Sequence, residues 1–239
     1  MRILLVHPPA LSPVVLRPLR TVLEAAGHEV AVPDYTAELT VAASWWRRAT
    51  RECVRAVDAL LGSPPVREGA RDYAGTGPGP DLLVGYSGSG VLLSPIAASR
   101  PAGRVVFLDA LLPAEGRETV PSEQVRAFTA RLLAEHGGER LPRWTRWWPA
   151  DDLAALLPDA SLREELDATS PELPGDFYDE AVGVSPGWEP DRVDYVQLSD
   201  GYAEQAAAAA GRGWVVHRLP SDHLAVVTRP EEIRDFLTG

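Results

Sequence analysis

"DLLVGYSGSGVLLSPIAASR", residues 81–100, decides how the chain is read. A short apolar run enters the cluster GYSGSG and leaves in a helix-like pattern. Three readings compete: a strand feeding a nucleophilic serine onto a sharp turn, a phosphate-binding glycine loop, and a tight connection inside a core. Gly85-Tyr86-Ser87-Gly88-Ser89 fits G-x-S-x-small in the strand-turn-helix context that a nucleophile elbow needs. A serine on such a turn holds a strained backbone, so the residues two before and two after must be small for strand and helix to pack. Gly85 and Ser89 meet this condition, with Ser89 standing where glycine is usual. A helix starting at Ser87 also offers free N–H groups to developing negative charge. The dinucleotide loop fits poorly, because Gly85, Gly88 and Gly90 run G-x-x-G-x-G instead of G-x-G-x-x-G. A turn without chemistry stays open.

On either side of this stretch, β-branched and leucine-rich runs alternate with helical patterns, the signature of a parallel sheet wrapped by helices. RILLV (2–6), EVAVP (29–33), DLLVG (81–85) and RVVFLD (104–109) read as strands. Between them lie a helix ended by Gly27, a long helix from about Ala42 to Leu61, and the helix after the elbow. A Pro/Gly-rich loop covers 62–80. From Pro113 to about Arg192 the alternation stops and the chain becomes helical, proline-punctuated and rich in tryptophan. It then returns with the strands DYVQLS and WVVHRLP, separated by an alanine-rich helix and followed by a closing helix. The expected fold is α/β, with about six mostly parallel strands flanked by helices. Residues 1–112 and 193–239 form the core, and 113–192 form a helical cap inserted on the carboxyl side of the strands, over the ligand crevice.

Bulk properties agree with one such domain: 239 residues, 45% of them hydrophobic and 24% charged. A net charge of −11 without a block of Lys or Arg argues against nucleic acid as a partner. The opening apolar run is too short for a signal peptide or a membrane span, so the expected location is the cytoplasm, with no membrane partner. One cysteine, Cys53, excludes an internal disulfide and reads as a packed thiol. No spaced metal-ligand cluster and no convincing nucleotide loop is present, so no metal or organic cofactor is expected.

A serine hydroxyl needs a base, and His223, in the loop between the last strand and the last helix, is placed to reach a central elbow. His28, His136 and His217 have ordinary helix-end or strand readings. With Ser87 and His223 in place, the chain resembles the α/β-hydrolase superfamily over nearly its whole length. Within it the chain resembles the hydroxynitrile lyase and methylesterase-like branch, with HPPALSP and RWTRWWP pointing to a bacterial subgroup. LLVHPPALSP is similar to the first strand and oxyanion loop, LLVGYSGSG to the elbow, VVFLDALLPAEG to the strand leading into the cap, and PSDHLAVVTRPEEI to the histidine loop.

The resemblance implies an oxyanion hole built from the Gly88 amide and a second amide at Pro9, which has no N–H. Either Ala10 or a side chain substitutes, or the reaction does not need a full hole. It also implies an acid after the penultimate strand, where Gly201 takes the expected position and Asp200 is one residue early. Some members place the acid after the strand that follows the elbow, which is Asp109 here. Asp109 and Asp200 are therefore alternatives, with Asp109 preferred; Asp109 could also simply hold backbone amides at the cap entry. Trp144, Trp147 and Trp148 either face the crevice and select an apolar substrate or pack a small cap.

The expected function is hydrolysis of an ester or thioester of a largely apolar, small-molecule or carrier-bound acyl substrate, with a homodimer compatible with this reading. The alternatives are a lyase or a cyclase, such as a Dieckmann-type ring closure in polyketide biosynthesis, and a binding protein that kept the fold without the chemistry.

Overall fold

The computed structural model describes residues 1–62 and 77–239; most of the Pro/Gly-rich loop read at 62–80 lies outside the described residues. Six strands form one parallel sheet: β1 (Arg2–Val6), β2 (Glu29–Ala31), β3 (Leu82–Tyr86), β4 (Arg104–Leu108), and, after two short strands described below, β7 (Val193–Gln197) and β8 (Val215–Arg218). Their spatial order is β2-β1-β3-β4-β7-β8. The order reverses between β1 and β3, which opens a crevice at the carboxyl edge there.

The sheet is apolar on both faces, as a parallel sheet covered by helices must be. Alternate residues divide between two cores. Leu4, Val6, Leu83, Val105, Phe107 and Tyr195 face one of them, with α2 (Trp45–Leu60) and α3 (Leu93–Ser99) packed over it. Ile3, Leu5, Val84, Tyr86, Val106, Leu108 and Val196 face the other, beneath α1 (Arg17–Ala25), α8 (Ala225–Thr228) and α9 (Pro230–Thr238). Cys53 is fully buried on α2, and burial pushes its thiol well up, which makes it a packed and unreactive group. A bidentate pair between Arg100 and Asp58, 2.7 and 3.0 Å, ties the end of α3 to α2.

The segment between β4 and β7 contains three helices, α4 (Glu123–His136), α5 (Ala150–Leu156) and α6 (Ala160–Thr169). Ser122 caps α4 by accepting the Val125 N–H, and Asp159 caps α6 through the Leu162 N–H. The segment is not wholly helical. Strands β5 (Glu118–Thr119) and β6 (Val182–Gly183) form an antiparallel ribbon, too short to leave an alternating pattern in the sequence. The alanine-rich helix is α7 (Ala203–Gly211), between β7 and β8. Among the described residues, no helix is long and apolar enough to cross a membrane.

Candidate active site

The loops that leave β1, β3, β4, β7 and β8 meet at the carboxyl edge of the sheet. Ser87 follows β3 directly, with φ +57°, a left-handed conformation that costs a non-glycine residue roughly 1–2 kcal/mol. Of the small neighbours expected from the sequence, Gly85 is required by contact, and Gly90 joins it. A Cβ on Gly85 would stand 2.8 Å from the Leu93 side chain. On Gly90 it would stand 1.9 Å from the Leu111 carbonyl oxygen, so neither position admits alanine without movement. Ser89 has its own reason to replace glycine: its hydroxyl donates to the Val6 and Tyr86 carbonyls, 2.7 and 2.8 Å, and ties the turn to the end of β1. The helix expected straight after the turn begins instead as a 3-10 helix, Ser87–Leu92, before α3.

Three side chains come together in a chain of hydrogen bonds. Ser87 Oγ is 2.9 Å from His223 Nε2, and His223 Nδ1 is 2.7 Å from Asp109 Oδ2. Asp109 is fully buried at the end of β4, with φ +43°. Its Oδ1 accepts the Leu198 and Ser199 N–H groups, and its Oδ2 also accepts the Ser199 hydroxyl. Burial works to raise this carboxyl, but the hydrogen bonds from His223 and Ser199, with the attraction of His223, outweigh it and hold the pKa below the ordinary carboxylate value. An ionised Asp109 fixes the imidazole tautomer: Nδ1 carries the hydrogen and Nε2 faces Ser87 as an acceptor.

Asp200 is elsewhere. Its side chain is exposed and pairs with Arg218 at 2.7 Å on the outer face of the loop after β7. Asp222, next to His223, accepts the Leu224 N–H and shapes its own loop. His28 sits near the N-terminal amine, His136 bonds the Leu132 carbonyl at the end of α4, and His217 packs edge-on to Phe236.

Two tyrosines absent from the sequence reading complete the site. The Tyr86 ring stacks on His223 at 4.9 Å, and its hydroxyl donates to the His223 carbonyl at 2.6 Å. Tyr202 stacks on the same imidazole at 4.9 Å and 9°, with its hydroxyl 3.2 Å from Ser87 Oγ. Burial pushes the Tyr202 phenol up to about 12. Its one mark in the sequence is its position in the loop after β7, two residues beyond Asp200.

The loop after β1 supplies no amide at Pro9. Pro9 Cδ, the carbon bonded where an amide hydrogen would be, is the atom that faces Gly88, 3.4 Å from where a Gly88 Cβ would lie. Ala10, next to it, is buried in the core. His7 anchors this loop: it is fully buried, stacked on Tyr35 at 4.0 Å, with Nδ1 donating to the Pro8 carbonyl at 3.0 Å and Nε2 without a partner among the described residues. Burial lowers its pKa from 6.5 to about 4, against the opposing pull of the Pro8 hydrogen bond. Between these two values the unfolded chain binds a proton that the native state refuses, so stability falls as pH drops through this window. Urea unfolding at pH 7.5 and 4.5 is expected to show wild type losing about 2 kcal/mol more than His7→Gln; equal losses would remove His7 as the acid-sensitive group.

The three tryptophans join an aromatic cluster in the inserted segment. Trp144 opens a 3-10 turn and meets Trp148 edge-on at 6.0 Å. Trp148 is 44% exposed and stacks on Phe128. Trp147 donates to the Pro142 carbonyl and touches Phe128 and Tyr178. Burial, and then the nearby Tyr202, hold the Tyr178 phenol up.

No family model matches the sequence, and no curated protein matches it. Solved structures do. An extracellular α/β-hydrolase from a Paenibacillus species, described as sharing structural and functional homology with tobacco salicylic acid binding protein 2, superposes with a TM-score of 0.70 at 15% identity, over 98% of this chain and 96% of that one. A pyrethroid hydrolase from Sphingobium faniae gives 0.61 at 19% identity over 99% and 95%. Tomato methylketone synthase I, in complex with β-ketoheptanoate, gives 0.55 at 14% identity over 99% and 95%. The likeness of these structures covers nearly the whole chain, and with the sheet order and the strained turn after β3 it establishes that this chain has the α/β-hydrolase fold.

Proposed function

We propose that this chain hydrolyses esters or thioesters of largely apolar acyl groups, with Ser87 as nucleophile, His223 as general base and then acid, and Asp109 as the acid that orients the imidazole. The observation that carries the reading is the unbroken Ser87, His223 and Asp109 relay, with spacings of 2.9 and 2.7 Å, on a serine held at φ +57°. Fold alone does not assign a reaction; the relay is what favours acyl transfer.

In acylation the Ser87 Oγ–H proton passes to His223 Nε2 as Oγ bonds to the carbonyl carbon. The Gly88 amide stabilises the negative oxygen, and the imidazolium returns its proton to the leaving oxygen or sulfur. Water then repeats the sequence on the acyl-enzyme. The inserted segment, 113–192, acts as the cap, and its aromatic cluster favours apolar acyl groups, free or carrier-borne. Names among the fold neighbours include an esterase-type substrate, a pyrethroid.

The measurement is kcat/KM over p-nitrophenyl esters from acetate to longer and aromatic acyl groups. It is expected to rise with apolar acyl size by roughly tenfold for every 1.4 kcal/mol of binding gained. A flat or falling profile would remove the aromatic cluster from substrate selection. One observation favours a second reading, a non-hydrolytic lyase or cyclase: Pro9, the position at which the resemblance implies a second oxyanion amide, has no N–H, and its Cδ faces Gly88. An enzyme whose Ser87 reacts with acyl donors but releases no free acid would favour this reading.

A further inference from the structure

We propose that Tyr202 is a catalytic residue, its phenol being the second hydrogen-bond donor to the oxyanion formed on Ser87, in place of the amide that Pro9 lacks; this rests on Ser87 being the nucleophile.

The geometry ties Tyr202 to the reacting atom. The residue ends a 3-10 turn, Asp200–Tyr202, just before α7. Its ring lies flat on the His223 imidazole, 9° from parallel, so base and phenol are held together. Its hydroxyl reaches Ser87 Oγ at 3.2 Å, and among the described residues it has no other hydrogen-bond partner.

Proton bookkeeping sets the direction of that bond. Asp109 accepts a hydrogen bond from His223 Nδ1–H, so Nε2 accepts from Ser87, and Ser87 Oγ is left to accept from Tyr202. Burial keeps the phenol protonated through the neutral range, which makes it a dependable donor.

In the attack, the Oγ–C bond forms and the Ser87 proton moves to Nε2. The π pair of the carbonyl moves onto its oxygen. Oγ is then an ester-like oxygen and a weak acceptor, whereas the new oxyanion, two bonds away, is a strong one. The phenol turns its O–H to the oxyanion and keeps its own proton throughout. On collapse the oxyanion's electron pair re-forms the carbonyl, the bond to the leaving group breaks and His223 supplies that group's proton; Tyr202 returns to Oγ once water has released the acyl group and the Ser87 hydroxyl is restored. Tyr202 thus offsets the deficit at Pro9, whose Cδ faces Gly88. One missing donor typically costs about 100- to 1000-fold in rate.

Tyr202→Phe removes the O–H and leaves the ring on His223. On an activated aryl ester, kcat is expected to fall roughly 100-fold or more with KM within about twofold. The affinity of an aryl trifluoromethyl ketone, which forms an oxyanion adduct on serine, is expected to fall by the same factor. Adding Pro9→Ala to Tyr202→Phe returns an amide hydrogen beside Gly88 and is expected to recover at least about fivefold. Thermal melts of each variant show that the comparison is between folded proteins. A Tyr202→Phe enzyme with wild-type kcat, or with kcat reduced but ketone affinity unchanged, overturns the oxyanion role. A wild type that forms no ketone adduct at all sinks the serine nucleophile itself, a different failure.

Discussion

Asp109→Asn is expected to lower kcat on an activated ester by about 10⁴-fold, while Asp200→Asn stays within about twofold of wild type. The reason lies in which oxygen is already engaged. Asp109 Oδ1 holds the Leu198 and Ser199 amides, so an asparagine keeps its carbonyl oxygen there and turns its NH2 toward His223. His223 Nδ1 must then accept, its hydrogen moves to Nε2, and Ser87 loses its base. Asparagine tolerates the left-handed backbone at this position better than most residues, so the variant is expected to fold. Asp200 has only its exposed partner Arg218 to lose. Steady-state kinetics on both variants decides the matter: a large loss in Asp200→Asn with little in Asp109→Asn would reverse the assignment.

Ser87 carries the second large effect. Ser87→Ala is expected to lose roughly 10⁶-fold in kcat, leaving only binding and the remaining donors. Ser87→Gly is expected to be equally inactive but more stable than Ser87→Ala by about 1 kcal/mol, because glycine occupies the left-handed region without penalty and alanine does not. Urea unfolding of the two variants measures that difference. Equal stabilities would mean the backbone at φ +57° stores no strain.

Much of this architecture was legible because its signals are local. The apolar runs bounded by Gly and Pro mark all six strands of the main sheet, and G-x-S-x-small marks the turn after β3 from five adjacent residues. Asp109 stood out as a charge closing an apolar strand, but its rivalry with Asp200 could not be resolved in one dimension. The partners that distinguish them, Leu198 and Ser199 for one and Arg218 for the other, depend on how β7 and β8 align against β4. Tyr202 escaped notice for a related reason: a tyrosine in a polar loop carries no mark of function until its ring is seen lying on His223. The β5–β6 ribbon has two residues per strand, too few for any periodicity. Pro9 was visible as a missing N–H, and the structure adds that its ring carbon is what faces the turn.

The most direct test is intact-mass analysis after exposure to a serine-directed fluorophosphonate. Wild type is expected to gain one adduct, mapped to Ser87, with none on Ser87→Ala and labelling slowed by at least about 10³-fold on His223→Ala. A folded wild type that gains no adduct, or one that is labelled equally well after Ser87→Ala, would contradict an activated serine at the end of β3.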